Sequence, residues 1–242
     1  MLPNRADIIK KLRLEINTLN GFKQLRNSCL SSRVLGPINN AFPNENFPLA
    51  CLHEIDCGDA SDRSAAIGFI SVVLSSFLHN GAVCWISRKE RIFPPAFRKF
   101  SIDPSHLIFI RPKNQKDFLW TLEESLKCRG LSAVVGEMPE MDFTVSRRFQ
   151  LALEESRVTA FIIREGSGLK INTASTARWK ISHLPSAVEN DLPGIGFPRW
   201  KVQLEKLRNG KAACWDLLYK KGKLEEFNMA TESVEELERK TG

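Results

Sequence analysis

Three sets of residues in this 242-residue chain have types and spacings that could do chemistry. Cys51, His53 and Cys57 offer soft metal ligands close together, but a tetrahedral zinc site needs a second ligand pair, and none stands at such spacing. The six cysteines, at 29, 51, 57, 84, 128 and 214, lie in apolar surroundings without a CxxC pair. Buried thiols in a reducing compartment are therefore expected, with no metal and no cofactor. The second set is basic: Arg88, Lys89, Arg91, Arg98, Lys99, Arg111, Lys113 and Lys116. Such a run could contact DNA phosphates or an acidic partner, both in a salt-sensitive way, or could be a solvated rim. The third is Arg147 with Arg148, beside apolar residues as at protein interfaces, though pairing within the fold is an equal alternative. Trp85, Trp120, Trp179, Trp200 and Trp215 all sit in apolar runs and are expected in the core rather than stacked on bases.

The formal net charge of +7 suits a protein working near polyanions. From Leu224 onward Glu225, Glu226, Glu232, Glu235, Glu236 and Glu238 face only Arg239 and Lys240, so a basic body carries an acidic tail. The longest apolar run, residues 65 to 78, falls short of the ~20 residues that cross a bilayer. No membrane span, secretory signal or transit peptide is expected, and the chain should be cytoplasmic.

The elements that must position these residues follow from periodicity. Ile8, Ile9, Leu12, Ile16 and Leu19 recur at helical spacing and predict an amphipathic N-terminal helix within residues 1–30. Runs at 83–87, 106–111, 132–136, 159–164 and 177–182 read as strands. Between them, 115–128 places Phe118, Leu119, Leu122 and Leu126 on one helix face, with Glu123 and Lys127 paired on the other. A second helix from Asp142 groups Val145, Phe149, Ala152 and Leu153 and turns Arg147 to solvent. Apolar strands alternating with amphipathic helices imply a mainly parallel sheet covered on both faces, with ligands at the carboxyl ends of strands. Beyond it, RWKVQLEKL and ACWDLLY flank Arg208-Asn209-Gly210-Lys211, a hairpin signal. The expected organisation is an N-terminal helix (1–30), an α/β core (31–186), a C-terminal hairpin extension (187–227) and an acidic tail (228–242).

The order of landmarks resembles the RecA-type ATPase core and, within it, the ImuA family. The stretches VCWISRKERIFPPAFRKFSIDPSHLIFIRP, DFLWTLEESLKCRGLSAVVGEM, MDFTVSRRFQLALEES, TASTARWKIS and GIGFPRW carry the likeness over about residues 35 to 205. The resemblance implies a RecA-like core and a place in damage-induced mutagenesis. Its implied partners are an ImuB-like Y-family polymerase homologue and an error-prone replicative-type DNA polymerase, with RecA as a further one.

The same resemblance aligns Cys57-Gly58-Asp59-Ala60-Ser61-Asp62-Arg63-Ser64 with a phosphate loop. A working loop wraps phosphates with glycine backbone N–H groups, adds a Lys, and holds Mg²⁺ through Ser or Thr. Here Cys57 and Asp62 replace its glycines, Arg63 replaces its Lys and only Ser64 fits outright. Arg63 is expected to pair with Asp59 and Asp62. The catalytic Glu position falls on Arg88 or its neighbours. The metal-binding Asp aligns with Gly136, and Glu137 follows directly. Losing several such groups together should abolish hydrolysis, since phosphoryl transfer depends on positioning and charge.

The expected function is thus a non-catalytic scaffold in an error-prone DNA synthesis complex, nucleoid-associated when engaged, with weak DNA contact through Lys89, Arg91, Arg98 and Lys99. Phe227 and Leu237 near the tail, or the N-terminal helix, are the expected partner anchors. An active RecA-family ATPase, a SulA-like cell-division inhibitor and a plain DNA-binding protein are the alternatives. Weak nucleotide binding at the loop stays open.

Overall fold

The computed structural model describes residues 12, 33–42, 45–78, 81–89, 92–166, 172–187, 196–208 and 210–227. The predicted N-terminal helix, apart from a helical Leu12, lies outside this set, as do Arg91, Leu237 and the rest of residues 228–242. Nine strands form one sheet: β1 Leu52–Cys57, β2 Ala82–Ile86, β3 Leu107–Ile110, β4 Leu131–Glu137, β5 Thr159–Glu165, β6 Ala177–Ala187, β7 Phe197–Leu207, β8 Ala213–Lys220 and β9 Lys223–Glu226. Their spatial order is β3-β2-β4-β5-β1-β6-β7-β8-β9. Pairing is parallel from β3 to β6 and antiparallel from β6 to β9. The predicted hairpin is β7–β8, and it continues the same sheet.

Among the described residues, three helices cover the parallel part. Helix α1 (Ala60–Phe77) lies on one face, with Phe69, Ile70, Val73 and Leu74 fully buried against Trp179, Phe161 and Val135. Helices α2 (Gln115–Lys127) and α3 (Phe143–Ser156) lie on the other, where Phe118, Leu122, Phe149 and Leu153 meet Cys84, Val134 and Ile162. The core residues of β2, β4 and β5 alternate between these two clusters, as the two-residue strand period requires, whereas those of β6 to β9 all belong to the α1-side cluster. Side-chain caps start each helix: Asp59, Asn114 and Asp142 accept backbone N–H bonds from the first turn. The Glu123–Lys127 pair forms at 3.4 Å.

Two features differ from the sequence reading. Strand β1, the centre of the sheet, was not among the expected strands, because Glu54 and Asp56 interrupt its apolar pattern. They lie on the α3 face, where Arg164 of β5 meets Glu54 at 2.7 Å and Asp56 at 2.7 Å, and Arg178 of β6 meets Glu54 at 3.2 Å. Thr173 and Ser175 also donate to Glu54, at 2.6 and 3.0 Å. Glu54 and Arg164 are fully buried, which charges tolerate only when paired and hydrogen-bonded. The second correction is Trp120: unlike the other four tryptophans it is 66% exposed, because it falls on the outer face of α2.

The two edges of the sheet are treated differently. Beyond β9 the chain is charged, and the 3₁₀ turn Gly36–Ala41 covers it closely: a Cβ on Gly36, whose φ is +53°, would sit 2.3 Å from the Leu224 carbonyl oxygen. The β3 edge instead exposes Ile108 and Phe109. Among the described residues no helix is long and apolar enough to cross a membrane.

Candidate functional site

The turn between β1 and α1 holds the aligned phosphate loop, and its backbone donors are taken by its own side chains. Asp59 Oδ1 accepts from the N–H groups of Ser61 and Asp62 at 2.8 and 2.9 Å. Asp62 Oδ2 accepts from the Gly58 N–H at 3.2 Å. Its Oδ1 takes both the backbone N–H and the ring Nδ1 of His183 on β6, at 2.8 and 2.9 Å. Burial alone would raise the Asp62 pKa, but these bonds outweigh it and hold the carboxyl below its ordinary value. A carboxylate thus stands among the amides of the turn. Ser64 Oγ donates back to the Ala60 carbonyl at 2.9 Å, a bond within the helix. Burial pushes the Cys57 thiol pKa up, so it is a neutral thiol at the end of β1.

Arg63 departs from the expected pairing with Asp59 and Asp62. One residue on a helix is a turn of ~100°, so Asp62 faces β6 while Arg63 reaches the carboxyl end of β4. There its Nε and one terminal nitrogen donate to Glu137 Oε2 at 2.8 and 2.6 Å. Trp85 Nε1 on β2 donates to Glu137 Oε1 at 2.9 Å. Side-chain exposures of 4% and 7% make Arg63–Glu137 a buried pair. Glu165 at the end of β5 lies 4.0 Å from Arg63 Nε and 2.5 Å from Lys89 Nζ. Arg88 donates to the Gln115 amide oxygen at 3.2 Å.

These side chains surround a cavity of about 750 Å³ at the carboxyl ends of β2, β3, β4 and β5. Arg63, Arg88, Lys89, Arg111 and Lys113 line it together with Glu137 and Glu165, and Met138, Pro139 and Ile163 give it an apolar wall. Sequence reading named Arg63, Arg88, Lys89 and Glu137 but did not join them to Glu165. A Glu ending an apolar strand is a signal that could have found it. The role of His183 has no sequence signal, since it meets Asp62 through both its main-chain N–H and its ring across more than a hundred positions.

Other candidates are dispersed. Arg98 and Lys99 lie on the exposed 3₁₀ turn Pro94–Phe100, outside the cavity lining. Arg148 pairs with Glu123 of α2, while Arg147 is half-exposed, 4.0 Å from Glu154 on its own helix. Phe227 lies under the Arg199 guanidinium, 4.5 Å from the ring centre.

The Cys51, His53 and Cys57 set does not form a metal site. His53 Nε2 bonds the Pro48 carbonyl at 2.8 Å and its Nδ1 accepts from Trp179 Nε1 at 3.2 Å, so both ring nitrogens are used in the core. Burial lowers its pKa to about 4 and raises that of Cys51 to about 12, making both neutral. Asp59, Asp62 and His183 do bring ligand atoms within 4.8 Å of one another, but the bonds above already use them.

No family model matches the chain. Protein ImuA of Caulobacter vibrioides, in two strains, is 30% identical over 193 residues, covering 74% of this chain and 79% of that protein. Among solved structures, a KaiC-like protein from the hyperthermophilic archaeon Pyrococcus horikoshii superposes with a TM-score of 0.54 at 12% identity, covering 82% of this chain and 98% of that one. That likeness concerns the fold, an α/β RecA-like core.

Proposed function

Since the chain belongs to the ImuA family, we propose that it is a RecA-like accessory protein of error-prone translesion DNA synthesis that binds partners and hydrolyses no nucleotide. The observation that carries the second half is the self-occupied turn: the Gly58, Ser61 and Asp62 amides bond Asp59 and Asp62. An incoming phosphate would lose those donors to carboxylates and meet two like charges. The pairing of Arg63 with Glu137 supports the same reading, because it engages both the loop cation and a carboxylate of the metal-binding region.

The partners of this reading are an ImuB-like Y-family polymerase homologue, an error-prone replicative-type polymerase and RecA. The chain works in the cytoplasm and at the nucleoid when engaged. Residues 31–186 serve as the core, 187–227 as the extension, and the anchors are Phe227 and Leu237 of the tail region with Arg147 on α3. DNA contact through Lys89, Arg91, Arg98 and Lys99 is weak. The test combines co-precipitation with the ImuB-like partner and RecA at two salt concentrations with ATP turnover with and without single-stranded DNA. Partner capture without turnover is the expected result; DNA-stimulated turnover would overturn the reading.

A further inference from the structure

We infer that the face of β6–β9 opposite α1 is a binding platform for single-stranded nucleic acid. These four strands pair antiparallel, and their core residues all lie on the α1 side, among them Trp179, Ile181, Trp200, Val202, Trp215 and Leu217. None of their residues joins the α2–α3 cluster. The two-residue period therefore turns Lys180, Arg199, Lys201 and Leu218 outward, as in antiparallel sheets that keep one solvated face. Strand pairing aligns Ser182, Lys201, Asp216 and Phe227 in one row of that face, and Leu184, Arg199, Leu218 and Glu225 in the next. Two rings lie there under cations: the Arg199 guanidinium is 4.5 Å from the Phe227 ring centre, and the Lys220 ammonium is 4.8 Å from that of Phe197.

Charge and stacking together select the ligand class. Residues 177–227 carry ten Lys and Arg against six Asp and Glu, so this stretch supplies a net +4 of the chain's +7 and favours an anion. Some of those cations are already spent, Arg178 on buried Glu54 and Lys223 on Glu225 at 2.7 Å. Lys180 and Lys201 are exposed, and among the described residues neither is in an ion pair. They are diagonal neighbours on adjacent strands, about 7–8 Å apart, and serve as the phosphate contacts. A guanidinium backed by a ring offers a flat surface to a base, which an acidic peptide has no group to use. Bases are open to such a sheet only in unpaired strands, so single-stranded nucleic acid fits and duplex does not. This surface is separate from the cavity at the carboxyl ends of β2 to β5 and from Lys89, Arg98 and Lys99.

Fluorescence anisotropy of labelled oligo(dT), about 16 nucleotides long, titrated with the full chain tests this. The proteins are wild type, Lys180→Gln/Lys201→Gln, Phe227→Leu and the charge-matched control Lys127→Gln/Arg129→Gln at the end of α2. The expected result for wild type is binding that weakens with salt. Lys180→Gln/Lys201→Gln weakens it about tenfold and lowers the logarithmic salt slope by about 1.4, the loss of two phosphate contacts. Phe227→Leu weakens it about fivefold and leaves that slope unchanged, because it removes the support of the stacking plane and no charge. The control stays close to wild type, since its charges are screened from this face. Melting temperatures verify that each variant is folded. Oligo(U) then identifies the source: tighter binding than oligo(dT) assigns the platform to RNA, weaker binding to DNA. Absence of binding to either oligonucleotide, equal weakening in the control, duplex DNA held as tightly as the single strand, or hexaglutamate held as tightly as oligo(dT) would each overturn the inference. Partner co-precipitation and ATP turnover are read separately, so either proposal can fail without the other.

Discussion

Arg63 and Glu137 show how a loop cation can be turned to structural use. With both side chains buried, Arg63→Met leaves Glu137 with only the Trp85 indole as partner. Its expected cost is about 3–5 kcal/mol in urea denaturation, and Arg63→Met/Glu137→Met should recover most of that, since an apolar pair needs no solvation. His53 supplies a pH prediction with a definite sign. Its folded pKa of about 4 lies below the unfolded value of about 6.5, so the unfolded chain binds the extra proton first. Stability therefore falls as pH drops below about 6.5, by up to about 3 kcal/mol near pH 4. Denaturation midpoints between about pH 7 and 5 should decline more steeply in wild type than in His53→Phe; parallel slopes would refute it. The types at this site were legible in the sequence, since Arg63, Arg88 and Glu137 could be named. The partner of Arg63 was not, because nearness along a helix does not give side-chain direction.

The helix α1 is fixed by how closely it approaches β7. A Cβ on Gly68 would lie 2.6 Å from a ring carbon of Trp200, and that indole is itself stacked on Tyr219 at a centroid distance of 6.2 Å. Gly68→Ala gains up to about 1 kcal/mol of helix propensity, yet forcing the ring aside costs about 1–3 kcal/mol, so a lower melting temperature is expected. An unchanged or higher value would show that Trp200 gives way freely. At this scale the sequence was most informative for α2, α3, β2 to β5 and the hairpin, whose periodicity is uninterrupted. It failed at β1 for a physical reason: the carboxylates of Glu54 and Asp56 are neutralised by Arg164, more than a hundred positions away. No local pattern carries a partner at that distance.

Among the described residues the strands form a single sheet with one guarded edge and one open edge. Ile108 and Phe109 leave β3 able to pair with another strand, whereas β9 is shielded by charge and by the 36–41 turn. Light scattering at rising protein concentration should therefore show weak self-association that Ile108→Lys reduces without lowering the melting temperature. Equal scattering from both proteins would place the association elsewhere. The α/β class was readable because apolar strands alternate with amphipathic helices, but continuity of the hairpin with the core sheet was not, since it depends on β6 extending to Ala187 and pairing with β7.

The placement of β1 also has a bearing on synthesis. Its last residue leaves the ribosome well before its neighbours β5 and β6, which begin only at Thr159 and Ala177. At about 5–20 residues per second, the nascent chain carries an unpaired central strand for about 5–20 seconds before Arg164 can reach Glu54 and Asp56. During that interval the two carboxylates keep β1 hydrated and discourage pairing with other nascent chains. The same charges that obscure the strand in the sequence act as its safeguard until the rest of the chain is made.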